Sequence, residues 1–204
     1  MTAAARKGRR ADPAKDEAIL AAAQTLFAER GYGVSIDEIA AAAGVAKQTI
    51  YARYDGKHDL LAAVVLKTAE ALVRPLAIGA AKPEAALTEF GVRFVDVVFA
   101  PGKLAMQRLI ISEAATFPAL AERYCVSGPQ YVRDRLSAYL ARASRDGELS
   151  ALDPSLAAAQ FLGLVIGADH LSALMGLVVP EDERRRRVRV SAAVGAFMKI
   201  YAPA

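Results

Sequence analysis

Apolar positions Ile19, Leu20, Ala23, Leu26 and Phe27 return at helical spacing and predict a first helix with one buried stripe. Asp12 followed by Pro13 supplies an N-cap and a first-turn proline, Asp16 and Glu17 suit the positive end of the helix dipole, and Gly31 ends the helix. Ser35-Ile36-Asp37-Glu38 reads as a capping box opening a short second helix to about Ala43. Gly44 then permits a left-handed turn, and a third short helix runs from Lys47 to about Arg53. A fourth helix from Lys57 keeps Leu60, Leu61, Val64, Val65, Thr68 and Leu72 in phase until Pro75 ends or kinks it.

Further along, Pro and Gly punctuate helices over about 83–99, 102–115 and 118–125, and Pro129 opens another that stops before Gly147. Asp153-Pro154 repeats the cap of the first helix and launches a stretch to about Gly176 that is apolar nearly all round, so it must be covered on more than one side. A last helix follows Pro180 and reaches Tyr201, with a stripe of Val188, Ala192, Gly195 and Met198. The expected fold is all-α, about nine helices, divided into residues 1–57 and a larger helical bundle over 58–204.

Composition agrees with helices: hydrophobic residues make up 54%, alanine is abundant and Trp absent. The uncharged run between Asp153 and Asp169 is shorter than the roughly 18–20 residues of a membrane span, so no membrane association is expected, and a cytoplasmic place is the default. The basic stretch Arg6, Lys7, Arg9 and Arg10 lacks the apolar segment of a secretory signal and reads as an arm able to track phosphates or enter a minor groove. Cys125, the single cysteine, excludes an intrachain disulfide or thiolate metal cluster and is expected as a small buried filler. Net charge is +4, yet residues 1–59 hold nine Lys/Arg against eight Asp/Glu, so nucleic-acid binding must come from arrangement.

The arrangement is found in the second and third helices. Two short helices joined through Gly44-Val45-Ala46, with Ile36, Ile39, Val45 and Ile50 apolar, have the spacing of a helix-turn-helix. Its second helix would enter the major groove of double-stranded DNA with polar residues leading. Gln48 suits a base edge, Lys47 a phosphate or guanine, and Thr49 a thymine methyl or phosphate oxygen. Ser35, Tyr51, Tyr54 and Lys57 offer hydroxyl and ammonium groups for the backbone. On spacing alone the same residues also fit the solvated face of a hairpin in a protein-interaction module or a helical enzyme.

The residues from Ile19 to Ala23, Leu26-Phe27, Gly31-Tyr32, Ser35 through Ala40, Gly44-Val45, Lys47, Tyr51, Lys57 and Leu60-Leu61 strongly resemble the N-terminal domain of TetR-family transcriptional regulators. Phe117-Pro118-Ala119-Leu120, Gly128-Pro129, Gly147-Glu148-Leu149, Asp153-Pro154 and Phe161 through Leu164 look like the AcrR/AefR-type branch. The resemblance implies a transcriptional repressor with its recognition helix third, a C-terminal domain that binds a small effector, and a homodimer through the last two helices. Departures are Ala46 where Ser or Thr is frequent, Gln48 in place of a small residue, Tyr54 for Phe and His58 for Glu, which leave the operator sequence open.

In the C-terminal region Phe94, Met106, Ile110, Phe117, Tyr131, Phe161, Val165 and Asp169 are the candidate lining of a pocket for a small hydrophobic effector, with ordinary core as the alternative for each. Asp169-His170 interrupts the most apolar helix and reads either as pocket lining or as structural pairing. Two histidines, no nucleophile motif and no phosphate loop leave no catalytic residue, cofactor or metal site to name.

Overall fold

The computed structural model describes residues 12–77, 82–151, 153–177 and 182–203. The basic arm at residues 6–10 lies outside them. The described residues form α-helices and short turns, with no strand among them. In chain order the helices are α1 (Pro13–Arg30), α2 (Ile36–Ala42), α3 (Lys47–Tyr51), α4 (Lys57–Leu72), α5 (Pro83–Val98), α6 (Pro101–Glu113), α7 (Pro118–Cys125), α8 (Tyr131–Arg145), α9 (Pro154–Ile166), α10 (Asp169–Leu174) and α11 (Glu183–Tyr201).

Side-chain caps open four of the eleven described helices, α1, α2, α9 and α11. Asp12 accepts from the Ala14 N–H, and Asp153 from the N–H groups of Ser155 and Leu156. In the capping box the Glu38 N–H donates to Ser35 Oγ at 3.2 Å while the Ser35 N–H donates to Glu38 Oε2 at 2.8 Å. Donation from the Ser35 N–H, then from the Ser35 hydroxyl and the Arg30 guanidinium, holds the Glu38 carboxyl down at about 2. Gly44, at φ 65°, makes the reversal between α2 and α3.

Two boundaries differ from the sequence expectation. Pro129 does not open a helix: the chain stays helical from α7 into α8 through a π-type turn at Val126–Gln130 with Pro129 inside it. A proline has no N–H to give to the preceding turn, and a widened turn absorbs that loss. Gly128 in the same turn lies so close to α4 that an added Cβ would stand 2.7 Å from Val65 Cγ1. The apolar stretch after Pro154 is likewise not one helix to Gly176. Gly167 ends α9 at φ 62°, its N–H closing onto the Gly163 carbonyl, and α10 starts afresh at Asp169.

The buried side chains fall into two cores. One joins Ile19, Phe27, Ile39, Ile50 and Leu60 of α1–α4 to Met106, Ile110, Leu120 and Tyr124 of α6 and α7. The other joins α5, α8, α9 and α11 around Phe90, Leu136, Leu140, Phe161 and Phe197. α4 serves both, giving Leu60, Leu61, Val64 and Val65 to the first and Ala69 and Leu72 to the second. A boundary drawn after residue 57 therefore passes through the first core. At its far side Gly102 at the start of α6 touches α1, where an added Cβ would meet the Ala28 carbonyl oxygen.

Candidate DNA interface and ligand pocket

α3 packs by Ile50, fully buried, which leaves its polar edge outward. Lys47 and Gln48 are exposed, Thr49 is half-buried and Tyr51 is 53% exposed. The Lys47 ammonium donates to Asp37 Oδ2 of α2 at 2.9 Å, and this hydrogen bond raises the Lys47 pKa. Ser35 stays exposed, with its hydroxyl donating to Glu38 Oε2 at 2.8 Å.

Tyr54 and Lys57, expected among the groups facing the DNA backbone, are turned into the protein. Tyr54 is 8% exposed and its hydroxyl donates to Asp16 Oδ1 at 2.7 Å. Burial first, then that hydrogen bond, pushes the phenol well above its ordinary range. The Lys57 ammonium donates to the Tyr32 carbonyl and lies 4.1 Å from the Tyr32 ring centroid, its pKa lowered by burial. His58, exposed, stacks on that ring with centroids 5.6 Å apart.

Arg53 carries a role that no spacing in the sequence marks. It donates to the carbonyls of Thr49 at 3.3 Å and Asp12 at 3.5 Å, and its Nε lies 3.7 Å from Asp16. Together Arg53, Tyr54 and Asp16 fasten the end of α3 to the start of α1. Partners so far apart along the chain leave no local signal.

A cavity of about 370 Å³ lies where the two cores meet. Val65, Thr68, Ala69 and Leu72 of α4 form one wall, with Phe94 of α5, Ile110 of α6 and Val132 of α8 on others. Of the residues expected to line a pocket, Phe94 and Ile110 do so. Met106 is buried in the first core, Phe161 and Val165 are fully buried in the second, Tyr131 packs at the second core's margin, and Phe117 is 52% exposed. Asp169 faces Arg189, 3.4 Å away, whereas its neighbour His170 does line the cavity and meets Gln107 Oε1 at 2.8 Å. Cys125, expected buried, is exposed at the cavity's edge. Lys103, Gln107 and Tyr124 line it too, although helical phase alone does not distinguish them from their neighbours.

α9 and α11 bury one side each and leave apolar residues on the other: Leu156 and Leu164 on α9, Val188 and Ile200 on α11, each at least 41% exposed. Added Cβ atoms at Gly163 and Gly195 would meet nothing within 4 Å. No helix among the described residues is long and apolar enough to cross a membrane, and no cluster of His, Cys, Asp or Glu there could hold a metal ion.

Residues 19–64 match the family model described as bacterial regulatory proteins of the tetR family, and residues 85–203 match that of the AefR-like transcriptional repressor, C-terminal domain. A TetR-family transcriptional regulator from Mesorhizobium loti MAFF303099 is similar in structure, with a TM-score of 0.78 at 26% identity over 95% of this chain and 99% of that one. The flavonoid-responsive regulator FrrA matches with a TM-score of 0.67 at 33% identity, covering 94% and 99%. A TetR regulator from Agrobacterium tumefaciens gives 0.71 at 25%, covering 93% and 95%. No curated protein sequence matches the chain.

Proposed function

The chain belongs to the TetR family of DNA-binding transcriptional regulators, and from that premise we propose that it is a homodimeric repressor released from its operator by a small apolar effector. The observation that carries the DNA reading is the outward edge of α3, where Lys47, Gln48, Thr49 and Tyr51 lead from a helix whose opposite side is anchored by Ile50. In this reading Gln48 reads a base edge, Lys47 and Tyr51 contact phosphates, and Ser35 marks the start of α2 against the backbone. Tyr54 and Lys57 act indirectly: one ties α3 to α1 through Asp16, the other ties α4 to the Tyr32 turn.

The bare apolar faces of α9 and α11 support a two-fold dimer, because a second copy would cover Leu156, Leu164, Val188 and Ile200 at once. Two recognition helices then address a palindromic site. A charge at Gly163 tests that face. Val194, also on α11, is 2% exposed and belongs to its own core, so a charge there would test folding instead.

Effector release is supported by the cavity's position. A ligand wedged beside Val65, Thr68, Ala69 and Leu72 presses on the helix that enters both cores. The similar regulator FrrA is described as flavonoid-responsive, which favours an organic effector for this chain as well. Regulation needs the ligand to prefer one spacing of the recognition helices, and a tenfold release corresponds to about 1.4 kcal/mol of coupling.

Fluorescence anisotropy of the purified chain on the duplex flanking its own gene tests the proposal. Affinity should fall steeply with salt and exceed that for scrambled duplex. Equal affinity for both duplexes would reject operator recognition, and a monomer by light scattering at micromolar concentration would reject the dimer.

A further inference from the structure

The cavity between the cores is lopsided in charge. No Asp or Glu lines it, whereas Lys103 of α6 contributes an ammonium group. That ammonium lies 4.7 Å from the centroid of the Tyr124 ring, and no ion pair with a carboxylate forms on it among the described residues. Burial draws its pKa down to about 8, so it keeps most of its charge near neutral pH. The Tyr124 hydroxyl beside it is buried, and its proton finds no acceptor. The Gln107 side chain meets the phenol in the sense that lowers its pKa, as a donor to the phenol oxygen, while its own carbonyl oxygen is engaged by His170. Among the walls, α7 adds the titratable groups of Tyr124 and Cys125 and α10 that of His170, while α4, α5, α8 and α9 present apolar side chains and one threonine.

A half-buried cation without a counter-ion and a buried hydroxyl whose proton has no acceptor are both costly, and an apolar ligand that displaces water would raise the cost of each. One incoming anion relieves both. We infer that the cavity selects an apolar organic acid, its single negative charge paired with Lys103, its acidic group accepting from Tyr124, and its hydrophobic body lying along α4 and α5. At about 370 Å³ the space falls near the lower end of small-ligand pockets, roughly 300–1,000 Å³, suited to a medium-chain or bicyclic acid. The inference rests on the reading of this cavity as the effector site.

Calorimetric titration of the full chain near neutral pH with two matched pairs of probes tests it: 2-naphthoate against 2-naphthylmethanol, and decanoate against decanol. Each acid should bind at least about tenfold more tightly than its alcohol. Lys103→Met should remove that preference while alcohol binding stays equal or tightens, and Lys103→Arg should retain it, with thermal melts confirming that both variants fold. Equal binding of acid and alcohol, or a preference that survives Lys103→Met, overturns the inference and leaves the pocket standing. Failure of all four probes to bind overturns the pocket reading and the inference with it.

Discussion

The two cores are built on different principles. The one around Phe161 closes on itself: Phe90 and Phe197 flank Phe161 with ring centroids 6.1 and 5.3 Å away, and α5, α8, α9 and α11 supply nearly all of its buried side chains. The one beneath α3 is smaller and incomplete, borrowing Met106, Ile110, Leu120 and Tyr124 from α6 and α7. Its helices are also tied by polar links at the margin: Tyr54 to Asp16, Arg30 to Glu38 and Lys57 to the Tyr32 carbonyl. A small three-helix unit buries too little apolar surface to hold itself rigid. α3 rests on α1 and α2, and α1 in turn packs on α4 and α6, which wall the cavity; under the proposed function this is the route from a ligand to DNA.

The largest expected effect tests whether the cores are one cooperative unit. Phe161→Ala should cost about 3–5 kcal/mol, the range for deleting a buried aromatic ring, and Ile39→Ala in the other core about 2–5 kcal/mol. Because α4 belongs to both, each variant should lower a single urea transition seen equally by circular dichroism and by loss of DNA binding. Two separated transitions, with Phe161→Ala moving only one, would make the DNA-binding part an independent unit.

Next in size is the seam between α1 and α6. A side chain at Gly102 would run into the backbone of Ala28, which is not the flexible end of a side chain and cannot swing aside. Gly102→Val should therefore cost about 1–3 kcal/mol through overpacking. Its sharper signature is functional. Moving α6 off α1 shifts the start of a cavity wall, so effector binding and DNA affinity should change together. Unchanged DNA affinity in a destabilised variant would show that α4 alone carries the coupling.

Much of this architecture is legible in the sequence because its signals are local. Asp12, the Ser35/Glu38 box, Gly44 and Asp153 each act within a few residues, and each caps or turns the chain where its residue type predicts. Pro129 and Gly167 mislead for opposite reasons. Pro129 has the residue type of a helix start, but Gly128 must press against Val65 and the helix persists as a widened turn. Gly167 reads as one glycine within a long apolar helix, yet it turns to positive φ and breaks it. For the sites, the outward edge of α3 follows from helical phase around Ile50. The inward turn of Tyr54 depends on Asp16, distant in sequence. The cavity is least legible, since an apolar helix face reads the same against solid core, as at Phe161 and Val165, or against empty space, as at Phe94 and Ile110.

A prediction of similar size but narrower reach concerns base reading. Gln48→Ala should cost about 1–3 kcal/mol on the operator and nearly nothing on unrelated duplex, with the loss confined to one base pair per half-site. Equal loss on every duplex would reduce Gln48 to a backbone contact.

The smallest expected effect lies at the exposed pair between α2 and α3. Lys47 already has a partner in Asp37, at 2.9 Å. Approaching DNA must either share that ammonium or draw it away, so part of its attraction to phosphate is offset before contact. Lys47→Ala should lower the dependence of log affinity on log salt by about one ion while leaving sequence preference intact. Asp37→Asn removes the competitor and one negative charge from the same face, so it should tighten binding to operator and unrelated duplex alike. Exposed pairs contribute little to folding, and neither variant should shift thermal stability appreciably. Weaker binding in Asp37→Asn would mean that Asp37 positions Lys47 for the phosphate instead of competing for it.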